Sequence, residues 1–186
     1  MDQRELVVRA RGGDHDAFTA LVDLTLARLD SAARLILRDP ELARDAVQET
    51  LIRAWRDLPG LRDPDRFDAW VHRLTVHACL DLARRRRRRV IEVELEQIDL
   101  ASSSDHSSGV ADRDQLEQAL RGLDAAHRAV IVLHYYLGMP MPDVAAAMGI
   151  PLGTAQSRLH YALVAMRATV VRDSVPAARA PGGQPA

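Results

Sequence analysis

The 186-residue chain has no lysine, and every one of its 25 Lys+Arg residues is arginine. Arginine binds phosphate through a planar two-point fork, but a biased genome explains a missing lysine as well, and that plainer reading is preferred. The single cysteine, Cys79, excludes an internal disulfide and suits a reducing compartment. Its apolar helical context marks it as a buried small residue. Aromatic residues are 4% of the chain against 47% hydrophobic residues, which suits small cores in an Ala/Leu/Val-rich helical protein. No segment approaches the roughly 18 apolar residues of a membrane span. The N-terminal MDQRELVVRARGGD has no apolar stretch of signal-peptide length. The expectation is a soluble, cytoplasmic protein with no membrane insertion. A glycine-rich phosphate loop, a nucleophile elbow and a paired acid motif are also missing. His72, His77 and Cys79 fall at i, i+5 and i+7, which does not converge on one metal as i, i+4 does. No catalytic residue, metal ligand or cofactor is therefore expected.

What is present is strong local charge under a formal net charge of -1. Arg84 to Arg89 is a run of six arginines, and Val90 to Asp112 carries Glu92, Glu94, Glu96, Asp99, Asp105 and Asp112 without an arginine. Adjacent segments of opposite sign suggest different partners. Six like charges are costly to hold together without an anion, so phosphate is the natural partner of the run. Each phosphate neutralised would steepen the salt dependence by about 0.7 to 0.9 log units per log unit of salt.

The periodicity reads as all-α. Glu5–Arg11 and Asp16–Leu37 look like the first helices. Asp39 is an N-cap with Pro40 at the first helical position, and the helix runs to about Leu58. Val47, Leu51, Ala54, Trp55 and Leu58 form its apolar face; Asp45, Gln48, Glu49, Ile52, Arg53 and Arg56 lie opposite. After Pro59-Gly60, a long helix over Arg66–Arg88 is buried through Trp70, Val71, Leu74, Ala78 and Leu82, with the arginine run closing it at the negative end of its dipole. Ser102–Gly109 reads as a flexible linker. Beyond it come a helix through Leu116, Ala119 and Leu120, and one capped by Asp124 and ended by Gly138. Val144–Arg167 then reads as a helix-turn-helix: Gly149 stops the first helix, Ile150-Pro151 makes the corner, and the second helix buries Leu159, Leu163 and Met166. Gln156, Ser157, Arg158, His160 and Tyr161 face outward, able to touch phosphate or a base edge. An ordinary helix pair with a solvated polar face is the plainer alternative.

Three stretches in this order resemble the extracytoplasmic-function (ECF) sigma factors of bacterial RNA polymerase, in the sigma-70 family. DPELARDAVQETLIRAW (Asp39–Trp55) is similar to region 2.2, DRFDAWVHRLTVHACLDLARRRRR (Asp65–Arg88) to regions 2.3 and 2.4, and Leu123–Arg167 to region 4. The resemblance implies two small helical domains, a region 2 bundle over 1–90 and a region 4 helix-turn-helix over 113–172. An acidic flexible linker over 91–112 joins them, and a disordered tail covers 173–186. It implies that Asp45, Gln48, Glu49, Ile52 and Arg53 grip the β′ clamp helices of core RNA polymerase, with the β flap as a second contact. Promoter DNA is the next partner. The loop Leu61–Phe67 would receive a flipped base of the −10 element, with Arg62, Arg66 and Phe67 as phosphate contacts and apolar wall. Arg73, His77, Asp81, Arg84 and Arg85 would track the melted strand, and the family usually has Asn where this chain has His77. For Trp70, and by a narrower margin for Phe67, core packing is the preferred assignment. The −35 element would meet Thr154, Gln156, Ser157, Arg158, His160 and Tyr161. Most members have Lys or Arg at the position of Gln156 and often Arg at that of Tyr161, which implies altered specificity, since Gln can read adenine. For Thr154 the competing role is to start the helix. Pro140 and Pro151 replace the Ser helix caps frequent in the family. Glu92, Glu94, Glu96 and Asp99 would either mimic RNA phosphates in the polymerase channel or serve as a solvated tether. An anti-sigma factor covering both domains is a further expected partner. The rival assignment is a dimeric helix-turn-helix regulator that binds an operator without polymerase.

Overall fold

The computed structural model describes residues 2–96 and 120–174, and every regular element among them is helical. In chain order these are α1 (Gln3–Arg11), α2 (His15–Leu37), α3 (Pro40–Asp57), α4 (Phe67–Glu96), α5 (Ala125–Ile131), α6 (Met141–Met148) and α7 (Leu152–Ser174). Expectations for residues 97–119 and 175–186 lie outside the described residues.

Aspartates open the helices where the sequence places them. Asp14 Oδ1 accepts from the Ala17 amide at 3.0 Å and starts α2. Asp39 Oδ1 takes the amides of Glu41 and Leu42 at 3.0 and 3.1 Å, ahead of Pro40 in the first turn of α3. Asp124 Oδ1 takes the His127 amide at 2.8 Å at the start of α5. Gly149 ends α6 in the left-handed region, at φ 66 and ψ 34. Pro151 precedes α7 and needs no amide there; its carbonyl accepts from the Ala155 amide at 3.0 Å.

One expectation changes and one is refined. The arginine run does not close α4, which continues through Glu96, so the first residues assigned to the linker are helical. No Gly or Pro lies between Pro64 and Gly109 to stop it. The dipole argument for the run therefore falls away, since the run is followed by further helical turns. In α7 the residues with no exposed surface are Ala155 and Ala162, while Leu159, Leu163 and Met166 are half-buried. Alanine at the contact lets α7 lie close against its neighbours.

Helices α1 to α4 bury Val7, Leu21, Leu29, Ile36, Leu58, Val71 and Val76 completely or nearly so. Each such side chain contributes about 1.5–3 kcal/mol on burial. Val130, Val132, Leu133, Val144 and Ala147 of the second unit belong to the same continuous cluster. Leu35 of α2 packs against a smaller cluster made by Leu120, Leu123, Ile131 and Ala162. The Arg128 Nε of α5 donates to the Ile36 carbonyl in the last turn of α2 at 2.5 Å. The two units are thus packed together, α6 lying along α4.

Candidate functional site

The helix-turn-helix is built as its residues suggest. Burial of Ala155 and Ala162 fixes the rotation of α7, and the opposite side turns outward. Gln156, Ser157, His160 and Tyr161 are exposed, Tyr161 at 67%, while Thr154 and Arg158 are half-buried. The Ser157 hydroxyl donates to the Gly153 carbonyl at 2.9 Å, a back-bond within the helix. The His160 and Tyr161 rings meet edge to face with centroids 6.0 Å apart. These residues form one polar, partly aromatic strip of the kind that fits a major groove. Before it, α5 passes into a single π-helical turn, Val132–Tyr136, that leaves Tyr135 and Tyr136 exposed.

The second surface is the loop before α4 together with one side of that helix. Two 3-10 turns, Leu58–Gly60 and Pro64–Arg66, shape the loop. Asp63 caps the second by accepting from the Asp65 amide at 3.0 Å. Arg62 and Arg66 point to solvent. Phe67 does not: it is 2% exposed, with its ring 6.0 Å from that of Trp70, and it supports the loop from beneath. Along α4, Arg73, Arg84 and Arg85 are exposed and Asp81 pairs with Arg84. Arg86 Nη1 reaches Asp39 at 2.6 Å and ties the arginine run to the start of α3.

His77 is half-buried on α4, the helix against which α6 packs. Desolvation there, with Arg73 beside it, holds its pKa below the usual histidine value against the opposing pull of Asp81. Helix α6 packs against α4, and His77 and Asp81 are half-buried while Arg73 stays exposed.

The third surface is a groove of about 710 Å³ between α2 and α3. Gln48 and Ile52 line it, and Ile52 is 55% exposed. Asp45 is exposed nearby, and Arg53 is held by Glu49 at 2.6 Å along the helix. The other wall comes from α2 through Asp23, Leu26, Ala27 and Asp30, residues not singled out from the sequence. Leu24, exposed at 62%, and Leu26 carry apolar surface outside the buried stripe of α2. That excess was the available signal. Among the described residues no group of His, Cys, Asp and Glu is arranged to hold a metal ion, and no helix is long and apolar enough to cross a membrane.

Comparison with known proteins covers nearly the whole described chain. The Sigma-70 region 2 family matches residues 21–89 and the Sigma-70 region 4 family matches residues 113–166. The chain is similar to the ECF RNA polymerase sigma factor SigL of Mycobacterium tuberculosis, 36% identical over 154 residues, covering 81% of this chain and 87% of that one. It is likewise 36% identical over 141 residues to the RNA polymerase sigma-E factor of Streptomyces avermitilis, covering 76% and 77%. Two solved structures resemble the fold at a TM-score of 0.67. CnrH in complex with the cytosolic domain of CnrY is 30% identical, covering 92% of this chain and 99% of that one. The sigma factor RpoE of Bartonella quintana in complex with the anti-sigma factor NepR is 25% identical, covering 85% and 98%.

Proposed function

The chain belongs to the ECF group of the sigma-70 family, and from that premise we propose how its three surfaces divide the work of starting transcription. As an ECF sigma factor it binds core RNA polymerase and directs promoter-specific initiation. Residues 1–90 dock on the polymerase and open the −10 element; residues 113–172 read the −35 element. The β′ clamp helices sit on α3 over Asp45, Gln48, Glu49, Ile52 and Arg53, with the groove beside Ile52 taking an apolar side chain. The β flap is met by the second unit. Gln156, Ser157, Arg158, His160 and Tyr161, with Thr154 at the helix start, meet the −35 major groove. Arg62 and Arg66 guide a flipped −10 base into the loop, and Arg73, His77, Asp81, Arg84 and Arg85 follow the melted strand.

The observation that carries this reading is the outward strip on α7, set by the burial of Ala155 and Ala162 on its other side. Helix α6 packs against α4, so in this reading it leaves α4 as the −10 strand enters along His77. The factor works in the cytoplasm, performs no catalysis of its own, and is held off by an anti-sigma factor. Run-off transcription with core polymerase, this protein and fragmented host DNA tests the reading. Discrete transcripts that require both proteins support it. Their absence, with tight sequence-specific binding by the protein alone, overturns it in favour of a dimeric operator-binding regulator.

A further inference from the structure

The loop that is proposed to take the −10 base is not held by its own turns alone. Between Leu61 and Asp68 it carries three carboxylates, Asp63, Asp65 and Asp68, against the two arginines Arg62 and Arg66. A surface meant for a nucleic-acid strand is thus short of positive charge. Helix α1 lies against the 3-10 turn within this segment, Pro64–Arg66, and the one just before it, Leu58–Gly60. Its inner face, Leu6, Val7 and Ala10, is buried, so α1 is a fixed support rather than a loose arm. From its first turn, Gln3 Nε2 donates to Asp68 Oδ1 at 2.8 Å, a bond spanning 65 residues in a half-buried setting. The next residue, Arg4, places its guanidinium 3.3 Å from the Asp65 carboxylate. Both contacts fall on carboxylates that flank Arg66 and Phe67.

We infer that Gln3 and Arg4 are positioning residues for promoter opening: they fix the start of α4 and offset the Asp65 charge so that Arg62 and Arg66 meet the unstacked strand in one geometry. The inference rests on the proposed role of the loop. Gln3 acts through Asp68, whose carboxylate sits in the first turn of α4, where negative charge is favoured. Moving Asp68 would move that turn, and with it Phe67 and the loop ahead of it. Arg4 acts through charge, since an unopposed Asp65 repels a passing phosphate. Neither residue needs to touch DNA.

The test uses full-length protein assembled with core polymerase on a duplex promoter obtained from run-off mapping, with 2-aminopurine in the −10 element reporting base unstacking. Gln3→Glu faces Asp68 with a second carboxylate. Open complexes should fall about fivefold, the scale of losing one hydrogen bond to repulsion, with core affinity kept within error and Tm lowered by no more than a few degrees. Asp68→Asn in the same chain supplies an amide that donates to the introduced carboxylate and should restore opening. Arg4→Glu should weaken opening most at low salt, as a screened charge effect does. Arg62→Ala/Arg66→Ala is the control for the loop. If that double variant opens normally, the loop reading fails and takes the inference with it. If it is impaired while Gln3→Glu opens normally, the inference alone is overturned. Loss of opening in Gln3→Glu that Asp68→Asn does not rescue, although it restores Tm, overturns it too.

Discussion

Replacing Arg128 by alanine should loosen the contact between the two halves of the protein. Its guanidinium donates to the Ile36 carbonyl at 2.5 Å and to the Leu123 carbonyl within its own unit. The first acceptor lies in the last turn of α2, where a cation is favoured by the helix dipole. Burial pushes the Arg128 pKa down, with Arg38 adding to it and Asp124 opposing, but a guanidinium stays charged. A hydrogen bond to a charged group is worth about 1.5–3 kcal/mol. Part of that returns as hydration when the halves separate, leaving a net loss of about 1 kcal/mol. At about 1.4 kcal/mol per factor of ten, the open form should gain about fivefold. Energy transfer between dyes on Asp16→Cys and Arg167→Cys reads this directly, both positions being exposed. Native Cys79 stays unlabelled, because it is buried and burial pushes its thiol up to about 12. The opened variant should also bind single-stranded −10 DNA about fivefold better as free protein, since His77 is uncovered. Holoenzyme transcription should change little, because the proposed entry of the −10 strand already has the halves separate on the polymerase. An unchanged dye distance together with unchanged affinity for the strand would refute the argument that this contact closes the molecule.

Further outcomes follow from single sites. Gly149→Ala places a side chain at φ 66, where its Cβ meets no neighbour, so the cost is backbone strain alone; stability should fall by about 1–2 kcal/mol, read as a Tm drop of several degrees. His72 is 5% exposed, and its pKa is lowered first by desolvation, with Asp68 opposing and Arg28 adding. The unfolded chain takes up a proton near pH 6.5 that the folded chain refuses. The His72 contribution is therefore complete above pH 6.5 and declines as pH falls below it. A Tm series from neutral to mildly acid pH should slope downward, and His72→Leu should flatten it. Ile52→Asp sets a carboxylate on the rim of the α2–α3 groove; folding should shift by less than about 0.5 kcal/mol, while core polymerase affinity, measured by fluorescence anisotropy, should drop at least about tenfold.

Much of the chain could be read from short-range chemistry. Asp39-Pro40, Asp124 and Gly149 act within one turn of themselves, so helix starts and stops follow from the residues alone. The polar strip from Gln156 to Tyr161 follows from helical spacing, and the three sigma-like stretches in order pointed to the family. Where no local signal existed, only tertiary structure decided. Nothing in the residues after Arg88 says where α4 ends, because arginine and glutamate both favour helix and no breaker intervenes. The choice of Ala155 and Ala162 over Leu159 and Leu163 as the buried line of α7 depends on how closely its neighbours approach. The α2 wall of the α2–α3 groove, the contact of α1 with the turns before α4, and the packing of α6 against α4 join residues far apart in the chain. Caps and periodicity report on the next four residues; such contacts exist only once the helices have packed.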